Sequence, residues 1–193
     1  FSRAWIGSVA DSFIRGTGVP VLLVRPDEAR VLTSDFRNII VAVDGSALAE
    51  GVIPIAMRMA AANGARLTLV RVTTIHAAVA RPTPIAHVDT HDLAAQREEA
   101  ERYLADLKDR IAAENLVIET KVVDEPVTML SDVGPTRALL SYADASGADL
   151  IALSTHGRSG FRRWMLGSVA DKVVRGAPIA TLVVRGDPRE DQG

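Results

Sequence analysis

Between Asp149 and Arg185, small and polar residues recur at a spacing suited to holding an anion. Ser154 is followed three residues on by Gly157, then by nine residues and the pair Gly167-Ser168. Leu150 to Leu153 is a continuous apolar run of the kind that forms a parallel strand buried on both faces, and the chain turns polar and glycine-rich from Ser154 to Gly160. Val169, Ala170, Val173 and Val174 are apolar at helical spacing, with Ser168 where an N-cap is wanted and Gly176 ahead of Pro178 to end the helix. A strand, a glycine-bearing loop and a helix in that order carry backbone N–H groups to a helix N-terminus. There the macrodipole favours an anion such as phosphate. The spacing is neither a Walker A loop, since no Gly-Lys-Ser/Thr follows, nor a GxGxxG fingerprint. Ser168 with Asp171 also approximates a capping box, which would account for the serine without a ligand.

Two further groups of residues have chemical potential. Asp44-Gly45-Ser46 closes the apolar run Asn38 to Val43, which places Asp44 at a strand's carboxyl end, where open α/β sheets bind small molecules. The plain alternative is a turn in which Ser46 caps the next helix and Glu50 pairs nearby. His87 and His91 have the i, i+4 spacing that would suit a metal on a helix, but no third ligand is identified. There is no cysteine, which excludes disulfides and thiolate chemistry and is compatible with the cytoplasm.

The elements that position these residues alternate between strand and helix. Asn38 to Val43 and Arg66 to Val72 read as strands one and two, with a helix from Ala47 to Ala62 between them, closed by Asn63-Gly64. A long connection, Thr73 to Thr90, precedes a charged amphipathic helix from Asp92 to Glu114, whose Arg97, Glu98, Glu101, Arg102 and Asp106 read as a solvated face. Leu116 to Val123 is strand three, Pro135 to Ala145 a helix with proline in its first turn, and Ile179 to Val184 strand five. Strand-helix alternation with right-handed crossovers implies an α/β, doubly wound, five-stranded parallel sheet. The chain has 193 residues, 48% of them hydrophobic, with a net charge of −2, enough for a substantial core and without a broad basic field for nucleic acid. No apolar stretch approaches the roughly 18–20 residues needed to span a bilayer.

STHGRSG, the nine-residue gap and LGSVADKV closely resemble the universal stress protein family, whose ATP-binding members carry glycine, two residues, glycine, nine residues, glycine and then serine or threonine. Ser154 stands where that pattern has its first glycine. If the backbone there must adopt positive φ, a side chain costs about 1–2 kcal/mol, and affinity falls tenfold for each ~1.4 kcal/mol. The resemblance implies an adenine nucleotide alpha hydrolase-like sheet of order 3-2-1-4-5. It also implies ATP or a related adenine nucleotide, with or without Mg, held between strands one and four in a stress-response or regulatory module. On the family's pattern the phosphates would be held by Gly157, Gly167, Ser168, Val169 and Ala170, with Arg158 approaching from the loop, and Leu153, Ser154 and Gly160 would be among the nucleotide-binding residues. Asp44, the backbone of Ala42 and Val43, and Val72 would face the nucleoside. Slow ATP hydrolysis is the most that an enzymatic reading allows, since no assured base or paired-carboxylate metal site is apparent. The competing reading is a protein-interaction module that binds no nucleotide, and Ser154 is the residue that favours it.

The chain also repeats itself. FSRAWIGSVADSFIRGTGVPVLLVR at its start aligns with FRRWMLGSVADKVVRGAPIATLVVR at an offset of 160 residues. Residues 1–26 are therefore expected to be the last helix and strand of a preceding domain of the same kind, 27–36 a linker, 37–186 a complete domain and 187–193 a tail. Gly7-Ser8 match the phosphate-contacting pair but lack the rest of a site. By the same resemblance, Val19 to Val24 should lie antiparallel beside Ile179 to Val184, as in a homodimer or tandem pseudo-dimer, covering an apolar edge that would otherwise invite aggregation.

Overall fold

The computed structural model describes residues 12–14, 16–24, 35–73, 90–125, 134–155 and 167–185. Their strands are β1 (Val21–Leu23), β2 (Asn38–Ala42), β3 (Arg66–Thr73), β4 (Val117–Asp124), β5 (Leu150–Ser154) and β6 (Ala180–Val184). Their helices are α1 (Ala47–Glu50), α2 (Ile53–Asn63), α3 (Thr90–Arg110), α4 (Pro135–Ala145) and α5 (Ser168–Gly176). The strands form one six-stranded sheet in the order β1-β6-β5-β2-β3-β4. Leaving β1 aside, that is the expected 3-2-1-4-5 winding, with β2 and β5 parallel neighbours at its centre. β1 pairs antiparallel with β6, Leu22 opposite Leu182. The strand expected to lie beside Ile179 to Val184 does so.

Successive strand residues point to opposite faces, and each face has its own core. On one side Ile39, Val41, Leu67 and Leu69 pack against Ile53, Ala56 and Ala60 of α2 and Ala100, Leu104 and Leu107 of α3. On the other, Ile40, Val70, Ile151 and Leu153 pack against Leu139 and Ala143 of α4 and Ala170 and Val173 of α5. Ile39, Ile40, Leu67, Leu69, Leu150 and Ile151 are wholly buried, each contributing on the order of 1.5–3 kcal/mol. A smaller cluster of Ile14, Val174 and Val183, with Val21 and Leu23 against it, ties the N-terminal segment to α5 and β6.

At the amino ends of the central strands, Asp149 Oδ2 accepts from the backbone N–H groups of Arg37 and Asn38 at 2.8 and 2.9 Å. Asn38 Nδ2 donates to the Ser146 carbonyl at 2.8 Å. These bonds set the stagger of β2 against β5 from below.

The helix expected over Ala47 to Ala62 is two helices, interrupted at Gly51-Val52. Pro54 is the cause: in a continuous helix it would have no N–H for the Glu50 carbonyl and its ring would clash there, so α2 restarts with the proline in its first turn. Gly64 ends α2 at φ 60, ψ 34, a left-handed conformation that glycine adopts without steric cost. The expected third strand is displaced by one residue, to Val117–Asp124, and the charged helix starts at Thr90 and ends at Arg110 rather than running from Asp92 to Glu114. No described helix is long and apolar enough to cross a membrane.

Candidate functional site

The carboxyl ends of β2, β3 and β5 and the first turn of α5 surround a cleft of about 550 Å³. It opens where the winding reverses on either side of β2 and β5, the place where doubly wound sheets leave room for ligands. β2 contributes Ala42 at its end, and Val43 and Asp44 follow it. Val72 comes from β3, and Leu153 and Ser154 from β5. Gly167, Ser168, Val169 and Ala170 complete the opposite wall. Every described residue expected at the site from the sequence therefore lines this one cleft. Gly157, Arg158 and Gly160 lie outside the described residues, as do His87, Gly7 and Ser8; the side chain of His91 also lies outside them. Among the described residues no group of three or more His, Asp or Glu is placed to hold a metal ion.

The wall formed by α5 is built from backbone. Gly167 N–H donates to the Thr155 carbonyl at 2.6 Å, and Thr155 N–H donates to Val184 at 2.9 Å, so the start of α5 is tied to the top of β5 and β6. The first intrahelical bond runs from Asp171 N–H to the Gly167 carbonyl at 2.8 Å. Ser168, Val169 and Ala170 thus sit in the first turn, where amides have no acceptor within the helix. All three line the cleft.

This corrects the expected cap. Gly167, not Ser168, is the N-cap of α5, and no side chain caps the helix. Ser168 is an exposed first-turn residue, and Asp171 is held by Arg175 at 3.0 and 3.1 Å rather than reaching back in a capping box. A glycine as N-cap leaves the amides open where a serine cap would have closed one of them.

Ser154 is the last residue of β5, in extended backbone, so its side chain carries no positive-φ cost. It is buried, and among the described residues its Oγ has no hydrogen-bond partner.

Across the cleft, Asp44 Oδ1 accepts from Ser46 N–H at 3.0 Å and from Ser46 Oγ at 2.6 Å. Ser46 Oγ in turn accepts from Ala49 N–H at 3.1 Å as the N-cap of α1. The turn reading of Asp44 holds, and the residue also lines the cleft, its carboxylate fixed by Ser46. Glu50 does pair nearby, accepting from Tyr103 Oη at 2.9 Å and from Arg110 at 2.9 and 3.0 Å. Burial first, then the hydrogen bond to Glu50 and the negative charges of Glu50 and Asp44, push the Tyr103 phenol well above its ordinary range.

The polar far wall was not expected from the sequence. Arg71 and Thr73 of β3 and Gln96 and Glu99 of α3 line the cleft, although the charges of α3 read as a solvated face. Thr73 Oγ1 donates to Asp124 at 2.9 Å, and Arg97 pairs with both Glu101 and Asp124. The signal available was Arg71 itself, a charge set between Val70 and Val72 toward the carboxyl end of the strand.

The sheet order and a cleft at its switch point define an α/β domain of the adenine nucleotide alpha hydrolase-like class. The family model described as the universal stress protein family matches residues 35–185, and the chain belongs to that family. Universal stress protein Rv2005c of Mycobacterium tuberculosis is 28% identical over 185 residues, covering 95% of this chain and 57% of that protein. The chain thus spans a little over half the length of such curated relatives. Among solved structures, the universal stress protein UspA from Lactobacillus plantarum matches with a TM-score of 0.59 and 26% identity, over 78% of this chain and 99% of its own. An Arabidopsis thaliana family member, At3g01520, described with AMP bound, shares the fold at a TM-score of 0.54 and 12% identity, over 80% of this chain and 94% of its own.

Proposed function

We propose that the domain is an adenine-nucleotide-binding regulatory module, with ATP or a close relative lying across the switch point from β3 to the N-terminus of α5. The observation that carries this reading is the first turn of α5, with no side-chain cap, whose Ser168, Val169 and Ala170 line a cleft that Asp44 and Val72 also line. Unpaired amides at a helix start suit phosphate oxygens, and the glycine N-cap lets them come close. The Ser168 hydroxyl, released from capping, supplies a further donor. Asp44, steadied by Ser46, presents acceptors suited to a ribose diol. Ala42, Val43 and Val72 offer backbone groups to a base. The residues fit such a ligand in size and polarity, and an AMP-bound relative of the same fold supports it. Gly157, Arg158 and Gly160 belong to the proposed phosphate end by sequence.

We also propose that residues 1–26 are the closing helix and strand of a preceding domain of the same kind. The internal repeat and the antiparallel pairing of β1 with β6 support that organisation. The same surface would serve a tandem pseudo-dimer or a homodimer.

Calorimetric titration with ATP, ADP and AMP, with and without magnesium, tests the nucleotide reading. Saturable heat with any of them supports it. Absence of heat with all of them removes it in favour of a module that acts through its surfaces.

A further inference from the structure

Arg71 is the residue in the cleft that its proposed use leaves unexplained. Its side chain is only 12% exposed, yet among the described residues its one ion-pair partner is Glu99 at 3.2 Å, itself 63% exposed. The guanidinium lies 5.2 Å from the centroid of the Tyr103 ring. A guanidinium carries five N–H donors, and a single one of them is bonded among the described residues. A cation so far removed from water is costly unless its donors find acceptors. One exposed carboxylate is a weak return for that cost.

Its location suggests what supplies the remaining acceptors. Val43 N–H donates to the Val70 carbonyl at 2.9 Å, which continues the β2 and β3 pairing one step past β2 and sets Arg71 alongside the start of the Asp44 turn. β2 separates β3 from β5, so two strand spacings of about 5 Å each lie between Arg71 and the strand that leads to α5. The two ends of the cleft thus differ: backbone amides at the α5 end suit phosphate, and at the other a planar cation lies over an aromatic ring. A nucleobase has ring-nitrogen acceptors for such donors and a face for such a plane.

We propose that Arg71 is a base-recognition residue, donating hydrogen bonds to acceptor atoms on the edge of a purine whose phosphates rest on α5. This rests on the nucleotide reading of the cleft and adds a side-chain determinant to what would otherwise be recognition by backbone. Glu99 holds the guanidinium on its stem, and Tyr103 backs it.

The test compares wild type and Arg71→Gln by titration with ATP and with inorganic triphosphate, which has the charge but no base. R71Q should bind ATP about tenfold or more weakly, the loss expected for one charged hydrogen-bond donor. Its affinity for triphosphate should equal that of wild type, and its unliganded unfolding midpoint should stay within a few degrees. Equal ATP affinity in both proteins would overturn the proposal. An equal loss for ATP and triphosphate would also overturn it, because Arg71 would then be an anion site. If wild type binds triphosphate but gains nothing from adenosine, the base has no place in the cleft and the proposal fails while the phosphate site stands. If wild type binds neither, the nucleotide reading itself has failed and this inference goes with it.

Discussion

Gly167 N–H and the Thr155 carbonyl are hydrogen-bonded at 2.6 Å, although the segment 156–166 separates the two residues in sequence. The bond brings the end of β5 and the start of α5 to one rim of the cleft. It also uses the amide of the N-cap residue, so that the amides left over are those of Ser168, Val169 and Ala170. Gly167 has φ −56 and ψ 151, a conformation open to any residue. Gly167→Val should therefore still fold, at a cost of about 1 kcal/mol because valine is a poor N-cap, while its side chain encroaches on the phosphate end. ATP affinity should fall at least about tenfold, the equivalent of ~1.4 kcal/mol. Titration together with a thermal melt separates the two effects.

Ser154 has a buried hydroxyl with no partner among the described residues. A buried, unsatisfied polar atom costs about 1–3 kcal/mol. Ser154→Ala removes that cost and leaves only a small void, so it should raise stability by about 1 kcal/mol and the unfolding midpoint by roughly 2–4 °C. Destabilisation in a urea melt would show that the hydroxyl is satisfied in solution.

Asp149 works at the opposite end of the sheet, accepting two backbone N–H bonds from Arg37 and Asn38. Asp149→Ala leaves those donors without the acceptor that aligns β2 with β5. It should cost about 2 kcal/mol, given that bonds to charged groups are worth roughly 1.5–3 kcal/mol and that this site is only partly shielded. Nucleotide affinity should be unchanged at temperatures where the variant is folded. Denaturant unfolding and titration of the same preparation check both halves.

Tyr103 makes stability depend on alkaline pH. Its folded pKa is raised above the unfolded value, chiefly by burial and then by Glu50. The neutral phenol is thus favoured in the folded state, and this contribution is fully present below the unfolded pKa of about 10. It is lost as pH rises from there toward the folded value, with a limiting slope of about 1.4 kcal/mol per pH unit for one proton. Tyr103→Phe should be less stable at neutral pH, having lost the bond to Glu50, and should show a shallower decline above pH 10. Parallel slopes in urea melts across that range would contradict the assignment.

The strand-helix alternation was legible in the sequence itself, since apolar runs such as Leu150 to Leu153 have one use in a sheet covered on both faces; the strand order, and with it the place of the cleft, came from the family resemblance. The repeat marked Val19 to Val24 as a closing strand and the family resemblance set it beside Ile179 to Val184; within it Val21–Leu23 pairs with β6. Local detail was harder. The break between α1 and α2 turns on Pro54, whose cost depends on where the helix starts, and apolar spacing does not report that. Whether Gly167 or Ser168 caps α5 depends on the bond to Thr155, a tertiary contact. Arg71, Gln96 and Glu99 were missed because a charged helix face looks alike whether it meets water or the rim of a cleft. Only the packing of α3 beside β3 distinguishes them.

The most direct test of the central claim is an isothermal titration of the chain with ATP, run side by side on wild type, Gly167→Val and Asp149→Ala. Wild type should show saturable one-to-one binding, D149A the same affinity, and G167V a loss of about tenfold or more. No saturable heat with wild type, or equal affinity in wild type and G167V, would contradict a nucleotide seated on the first turn of α5.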